Sequence, residues 1–434
     1  MNRPPNILVL VTDDQRWDTL GCMGHPFLKT PHIDRLAAEG VTFTQAFVTT
    51  SICSASRASI VSGRYARRHG VGMSAFGGSL PADAWAESFP VQLKRAGYRL
   101  GCVGKWGFGD RDAAALFDFW NAWEGQGSFF QAVGGEKVHN SEFLARQAEE
   151  FLRAGPPDRP WCLVVLYKSP HEPFQPDPRD EGLLADARIE PPPTYTDEHF
   201  RALPQAVQQS EGRARLLKRH PTPGSYAPFV RRYLQCIAGV DRSVGRILAA
   251  LDALGQTDST LTLYTSDNGF FLGEHGLSGK WFAYEESIRV PLLARWGGVA
   301  GALRGQRVDA MALNLDLAPT ILDAAGLGPP RGMDGRSLRP LLAGRRPPWR
   351  QDFFYEHHYW HGGKIPRTEA VRTTTHKYIR YIDPAPAIEE LYDLRADPRE
   401  ARNLAPDPAA AATLEAMRAM WREHLRRLGP AGPA

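Results

Sequence analysis

Four apolar runs, residues 6–11, 98–103, 161–166 and 260–265, each stop abruptly at a polar cluster. The first is continuous rather than alternating, which predicts a strand buried on both faces of a parallel sheet, and the other three also read as strands. Patterns of helical period lie between them. A helix is predicted to begin at Thr30-Pro31, with proline in its first turn and Gly40 at its end. Others are predicted over 88–97, 141–152 and 313–324. Tyr233, Ile237, Val240, Val244, Ile247, Leu248 and Leu251 trace one face of a further helix that Gly255 closes. Strands alternating with helices predict an α/β fold, a large mostly parallel sheet sandwiched by helices.

Residues 345–349, Arg-Arg-Pro-Pro-Trp, read as a linker. The expected division is a catalytic domain over 1–345 and a small C-terminal α+β domain over 346–434. The second should hold a short antiparallel sheet, with two strand-like runs at 370–372 and 377–381, then Glu390-Leu391-Tyr392-Asp393-Leu394 and a helix from about 409 to 428. Residues 173–193 are rich in Pro and Asp and predict a long surface loop. That loop and the small domain are expected to wall a substrate pocket.

Composition narrows the classes. A net charge of +4 over 434 residues, with no block of Lys and Arg, argues against nucleic acid as a partner. No apolar run is long enough to span a bilayer, so no membrane partner is expected. The expected compartment is the cytoplasm, or the periplasm if a leader has been removed. The rich Arg, Ala, Gly and Pro content suggests a bacterial source. The five cysteines are scattered and form neither a disulfide framework nor a zinc motif. Cys102, Cys162 and Cys236 fall in apolar patterns and read as core.

The chemistry gathers at strand ends, where open α/β sheets bind ligands. Asp13-Asp14 and Asp267-Asn268 each follow a buried strand directly. On neighbouring strands they would offer four oxygen donors, a hard set suited to Ca²⁺ or Mg²⁺. Carboxylates crowded together need such a cation. Lys105 and His171 also follow strands, and Lys280 lies in Gly279-Lys280-Trp281. Finally, Cys53 precedes a predicted helix that Gly63 ends. A thiol there faces free backbone N–H groups and the positive end of the helix dipole, and Arg57 adds a permanent charge one turn on.

Cys53-Ser54-Ala55-Ser56-Arg57, running on to Ser62-Gly63, resembles the type I sulfatase signature of the alkaline phosphatase superfamily. The blocks Gly104-Lys105-Trp106, Pro170-His171, Ser266-Asp267-Asn268-Gly269 and Gly279-Lys280 are similar to sulfatase blocks in the same order. The resemblance extends over almost the whole chain. It implies a sulfuric ester hydrolase acting on a sulfated small molecule or sugar. It implies that a formylglycine-generating enzyme converts Cys53 to Cα-formylglycine, whose hydrate attacks sulfur with one hydroxyl and expels sulfate with the other. It further implies calcium, or magnesium in its place, on Asp13, Asp14, Asp267 and Asn268. Arg57 would orient the nucleophile, and Lys105, His171 and Lys280 would hold the sulfate. His357 and Arg372, with His358 and His361 beside them, fall where related carbohydrate sulfatases recognise the sugar.

Two positions depart from the family pattern. Ala55 replaces the usual proline. Gly107 replaces a histidine that serves the hydrate as a base, so His275 is the expected substitute, and a hole is expected beside the nucleophile. Two other functions stay open at this point: a phosphonate monoester or phosphodiester hydrolase of the same superfamily, and an inactive sulfated-glycan-binding homologue.

Overall fold

The computed structural model describes residues 4–75, 77–109, 113–156, 158–297, 303–359, 361–383 and 386–430. Eight strands form the main sheet: β1 Asn6–Thr12, β2 Val41–Phe43, β3 Arg99–Lys105, β4 Phe119–Trp123, β5 Trp161–Leu166, β6 Thr260–Ser266, β7 Leu292–Trp296 and β8 Gln306–Val308. Their order across the sheet is β8-β2-β7-β6-β1-β5-β3-β4. Only β7 runs against its neighbours; every other pairing is parallel.

Strand β1 lies between β5 and β6, with Leu8 opposite Leu163 on one side and Thr262 on the other. All its residues are buried, because helices cover both faces. Side chains alternate between two cores. Ile7, Val9 and Val11 face the core that contains Ala55 and Ala58 of helix α2, Cys53–Ser62. Leu8 and Leu10 face the other core, built on helices α3, Asn140–Arg153, and α5, Tyr226–Ala253. Helix α1, Pro31–Glu39, precedes α2, and α4, Glu211–Arg219, precedes α5.

The predicted strands at 6–11, 161–166 and 260–265 form within one residue of their expected ends, and β3 runs two residues past its expected end, to Lys105. β2 opens a β-rich run at 41–50, and β4, β7 and β8 have no counterpart in the sequence reading. β4 is half-exposed throughout and carries no clear period. β2 and β8 have three residues each.

The small sheet is antiparallel: β9 Asp352–His357, β10 Thr368–Thr373, β11 His376–Tyr381 and β12 Ile388–Asp393, in that order. Helix α6, Ala411–Leu428, follows it. The sequence pattern finds β10 and β11 and gives no strand for β9 or β12. Polar groups lock this part to the main sheet. Arg67, just past α2, donates from its backbone N–H and Nε to the two oxygens of Glu356 at 2.8 and 2.7 Å. Its third nitrogen reaches Glu369 at 2.9 Å. The hydroxyls of Tyr284, Tyr381 and Tyr392 all donate to the buried Glu390 carboxylate, at 2.8–3.0 Å. Among the described residues, no helix is long and apolar enough to cross a membrane.

Candidate active site

The pairing of β1 with β6 sets Thr12 opposite Ser266. The two acidic turns therefore lie side by side. The Asp267 N–H donates to the Thr12 carbonyl at 3.0 Å, and the Asp14 N–H to Asp267 Oδ1 at 3.2 Å. Asn268 Nδ2 donates to Asp14 Oδ1 at 2.6 Å. Three carboxylates and an amide thus meet at the carboxyl end of the sheet, all fully buried.

Three cations and a neutral histidine from other elements close on them. Lys105, the last residue of β3, bonds Asp13 Oδ2, and Lys280 bonds Asp14 Oδ1. Arg57, one turn into α2, sets Nε 2.7 Å from Asp267 Oδ2 and NH2 3.3 Å from Asp13 Oδ2. His171, beyond β5, holds Nε2 3.8 Å from Asp14 Oδ2. Its Nδ1 lies 2.7 Å from the Glu172 carbonyl, which can only accept, so Nδ1 carries the proton of the neutral ring. Cys53 opens α2 with no side chain capping the helix. It lies within electrostatic reach of Arg57, Lys168 and Lys280.

Burial opposes ionisation of every acid here. It is overcome at Asp13, where Lys105, His171, Arg57 and Lys280 hold the carboxyl far below its usual range. At Asp267 burial wins, with the Asp13 charge adding to it, and the carboxyl rises to about 6. Burial likewise pushes His171 down to about 4, against the pull of Asp13 and Asp14.

The donor set fits a hard divalent cation. Asp13 Oδ1 and Asn268 Oδ1 are buried and accept no hydrogen bond. Ligand atoms of Asp13, Asp14 and His171 lie within 4.8 Å of one another. Orphaned buried oxygens beside converging carboxylates are what a cation needs and what a closed salt-bridge network would not leave.

Cys53, Arg57, Lys105, His171, Lys280, Asp13, Asp14, Asp267 and Asn268 are therefore brought together. His275, His357 and Arg372 are not. The His275 ring stacks on Tyr284, with centroids 4.8 Å apart, and its backbone N–H meets Thr194. None of its contacts reaches the acidic cluster. His357 is buried, with Nε2 on the Tyr359 carbonyl. Arg372 lies over the Phe47 ring and pairs with Glu285, which Lys377 also meets at 3.0 Å. Arg372 is thereby spent on joining the small sheet to the larger part of the chain. The expected hole at Gly107 is filled as well. Its φ is +90°, and a Cβ there would stand 2.8 Å from Arg57 Cδ.

Two side chains beside the cluster escaped the sequence reading. Lys168 is buried beside the cluster, its Nζ over the Phe129 ring. Its one signal was its place just after β5. Gln126 accepts from Lys105 Nζ at 2.8 Å. Both line a cavity of about 900 Å³ that reaches His171. The start of the 173–193 loop does form part of its wall. The rest comes from 126–129 and from helices α4 and α5, and no residue of the small sheet lines it.

The model of the sulfatase family matches residues 5–327, and that of the C-terminal part of N-sulphoglucosamine sulphohydrolase matches residues 273–427. The chain belongs to the sulfatase family of the alkaline phosphatase superfamily, and it is a sulfuric ester hydrolase. Among its relatives is an N-acetylglucosamine-6-O-sulfatase of Bacteroides thetaiotaomicron, 29% identical over 92% of this chain and 82% of its own length. A multifunctional alkaline phosphatase superfamily protein of Trinickia caryophylli is 28% identical over 94% of this chain and 92% of its own. A solved complex of a protein with its substrate D-glucosamine-2-N,6-O-disulfate superposes with a TM-score of 0.85 at 26% identity, covering 98% of both chains. A phosphonate monoester hydrolase of Silicibacter pomeroyi superposes at 0.79 and 25%, covering 98% of this chain and 96% of its own.

Proposed function

We propose that this sulfatase hydrolyses sulfate esters of carbohydrate, with sulfated amino sugars the first class to test. On this reading Cys53 is converted to Cα-formylglycine by a formylglycine-generating enzyme. Asp13, Asp14, Asp267 and Asn268 hold calcium, or magnesium in its place. The aldehyde hydrate supplies a nucleophile that can release its own product, and the metal supplies positive charge at the sulfate oxygens.

The chain's own residues do the rest. Arg57, fixed by Asp267 and Asp13, orients the side chain at position 53. Lys105, Lys168 and Lys280 face the sulfate as charge builds on it. Lys280 passes a proton to the leaving oxygen, and His171, anchored through its Nδ1–H on the Glu172 carbonyl, turns an unprotonated Nε2 to the site as an acceptor. Residues 1–345 act as the catalytic domain. Residues 346–434 act on the site through Arg67, which they clamp just beyond α2.

The observation that supports this reading is the meeting of Cys53 at a helix N-terminus with four cationic side chains and two orphaned oxygens. The test is twofold: mass spectrometry of the peptide carrying Cys53 after co-expression with a formylglycine-generating enzyme, and sulfate release from glucosamine 6-O-sulfate. An unmodified thiol with no sulfate released would reject the reading. The likeness to the phosphonate monoester hydrolase supports a second one. A higher kcat/KM on aryl phosphonate or aryl phosphodiester than on aryl sulfate would put it first.

A further inference from the structure

The cavity above His171 has a charge imbalance that hydrolysis of one sulfate ester does not need. On α4, Glu211, Arg215, Lys218 and Arg219 follow a spacing that puts them on one side of the helix, and all four line the cavity. On α5, Pro228, Phe229 and Arg232 do the same. Two of the four cations are neutralised. Arg215 meets Glu211 at 2.9 Å and Glu172 at 3.0 Å, and Arg219 also pairs with Glu172. Lys218 and Arg232 are exposed and have no carboxylate or hydrogen-bond partner among the described residues. They belong to the opening of the cavity, whereas Lys168 is buried beside the catalytic cluster. Unpaired like charges on adjacent helices repel, and a concave wall concentrates their field.

We infer that Lys218 and Arg232 form an anion subsite that selects sugars carrying a second negative group, a sulfate or a carboxylate, besides the ester to be cleaved. This rests on the carbohydrate sulfatase reading above. Phe229 and Phe129 give the same wall apolar faces, and the volume of about 900 Å³ leaves room beyond a single sulfate group. The second anion would be held through charge-assisted hydrogen bonds, bidentate at Arg232.

The experiment compares glucosamine 2-N,6-O-disulfate with glucosamine 6-O-sulfate and reads the ratio of their kcat/KM values at low salt. The ratio should be about tenfold in favour of the disulfate, carried mainly by KM, and should fall as salt rises. In the Lys218→Ala/Arg232→Ala variant it should drop toward one, and in Lys218→Glu/Arg232→Glu below one. A ratio near one in the wild type, or one that both variants leave unchanged, overturns the subsite. If neither sugar is hydrolysed, the carbohydrate sulfatase reading fails. The subsite is then read separately, from the Kd ratio of the two sugars on Cys53→Ala by calorimetry, and equal affinities overturn it.

Discussion

Gly107 packs so closely against Arg57 that a Cβ on it would come 2.8 Å from Arg57 Cδ. The backbone there, at φ +90°, already suits glycine alone. Any side chain meets both obstacles. Gly107→Ala should therefore cost about 1–3 kcal/mol of stability and also lower turnover, because Arg57 must move. Gly107→His should do the same and restore nothing. Thermal melting with kcat on an aryl sulfate checks both, and a histidine variant faster than wild type would sink the idea.

Calcium should raise the melting temperature of the wild type and chelator should lower it. At a hundredfold excess over Kd the shift corresponds to about 2.7 kcal/mol. In Asp267→Asn the calcium effect should disappear, since the ligand charge is lost while an acceptor for Arg57 remains. Melting and activity that ignore the chelator would reject the site.

Arg372→Met should change stability and leave KM alone, because Arg372 pairs with Glu285 and is absent from the cavity wall. Lys377→Met should be more severe. Its fully buried Nζ lies between Glu285 at 3.0 Å and Glu400 at 2.7 Å, and removing one partner from such a group costs about 3–5 kcal/mol. A raised KM with unchanged melting in Arg372→Met would return that residue to the substrate.

Stability should also depend on pH through Asp241. This α5 carboxylate accepts the N–H groups of His32 and Ile33 in the first turn of α1, at 3.0 and 2.8 Å. Burial outweighs those bonds and pushes Asp241 up to about 7. The folded state thus binds this proton more tightly than the unfolded chain. The resulting stability is full below pH ~4 and lost as pH rises through about 7, a change on the order of 2–4 kcal/mol. Asp241→Asn keeps the acceptor and removes the charge. It should melt with the wild type near pH 4 and above it at pH 8. A gap that stays constant with pH would exclude Asp241 as its source.

The sheet and the catalytic cluster were legible for the same reason. Strands buried on both faces are continuous apolar runs, and a run that ends on Asp-Asp or Asp-Asn announces a ligand end. Lys168 was hidden because a lone lysine after a strand looks like solvated surface. So was the cavity wall: Arg215, Lys218 and Arg232 sit on helices whose polar faces look ordinary until tertiary structure turns them toward a concavity. The opposite error arose at His275, His357 and Arg372. Motif position suggested chemistry for them, but in the fold they meet Tyr284, Tyr359 and Glu285 rather than the acidic cluster. Only the folded structure reveals that these side chains are already engaged.

The cluster joins distant parts of the chain, with 210 residues between Arg57 and Asp267. A ribosome adds about 5–20 residues per second, so roughly 10–40 s of synthesis separate the two. Throughout that interval β1 lacks its β6 partner and Arg57 lacks its carboxylate. The thiol that ends only 1% exposed is then open to solvent. If Cys53 is converted as proposed, the lifetime of the half-made chain on the ribosome sets the time available to the converting enzyme. Faster translation or slower modification would then yield molecules that fold with an unaltered cysteine sealed inside.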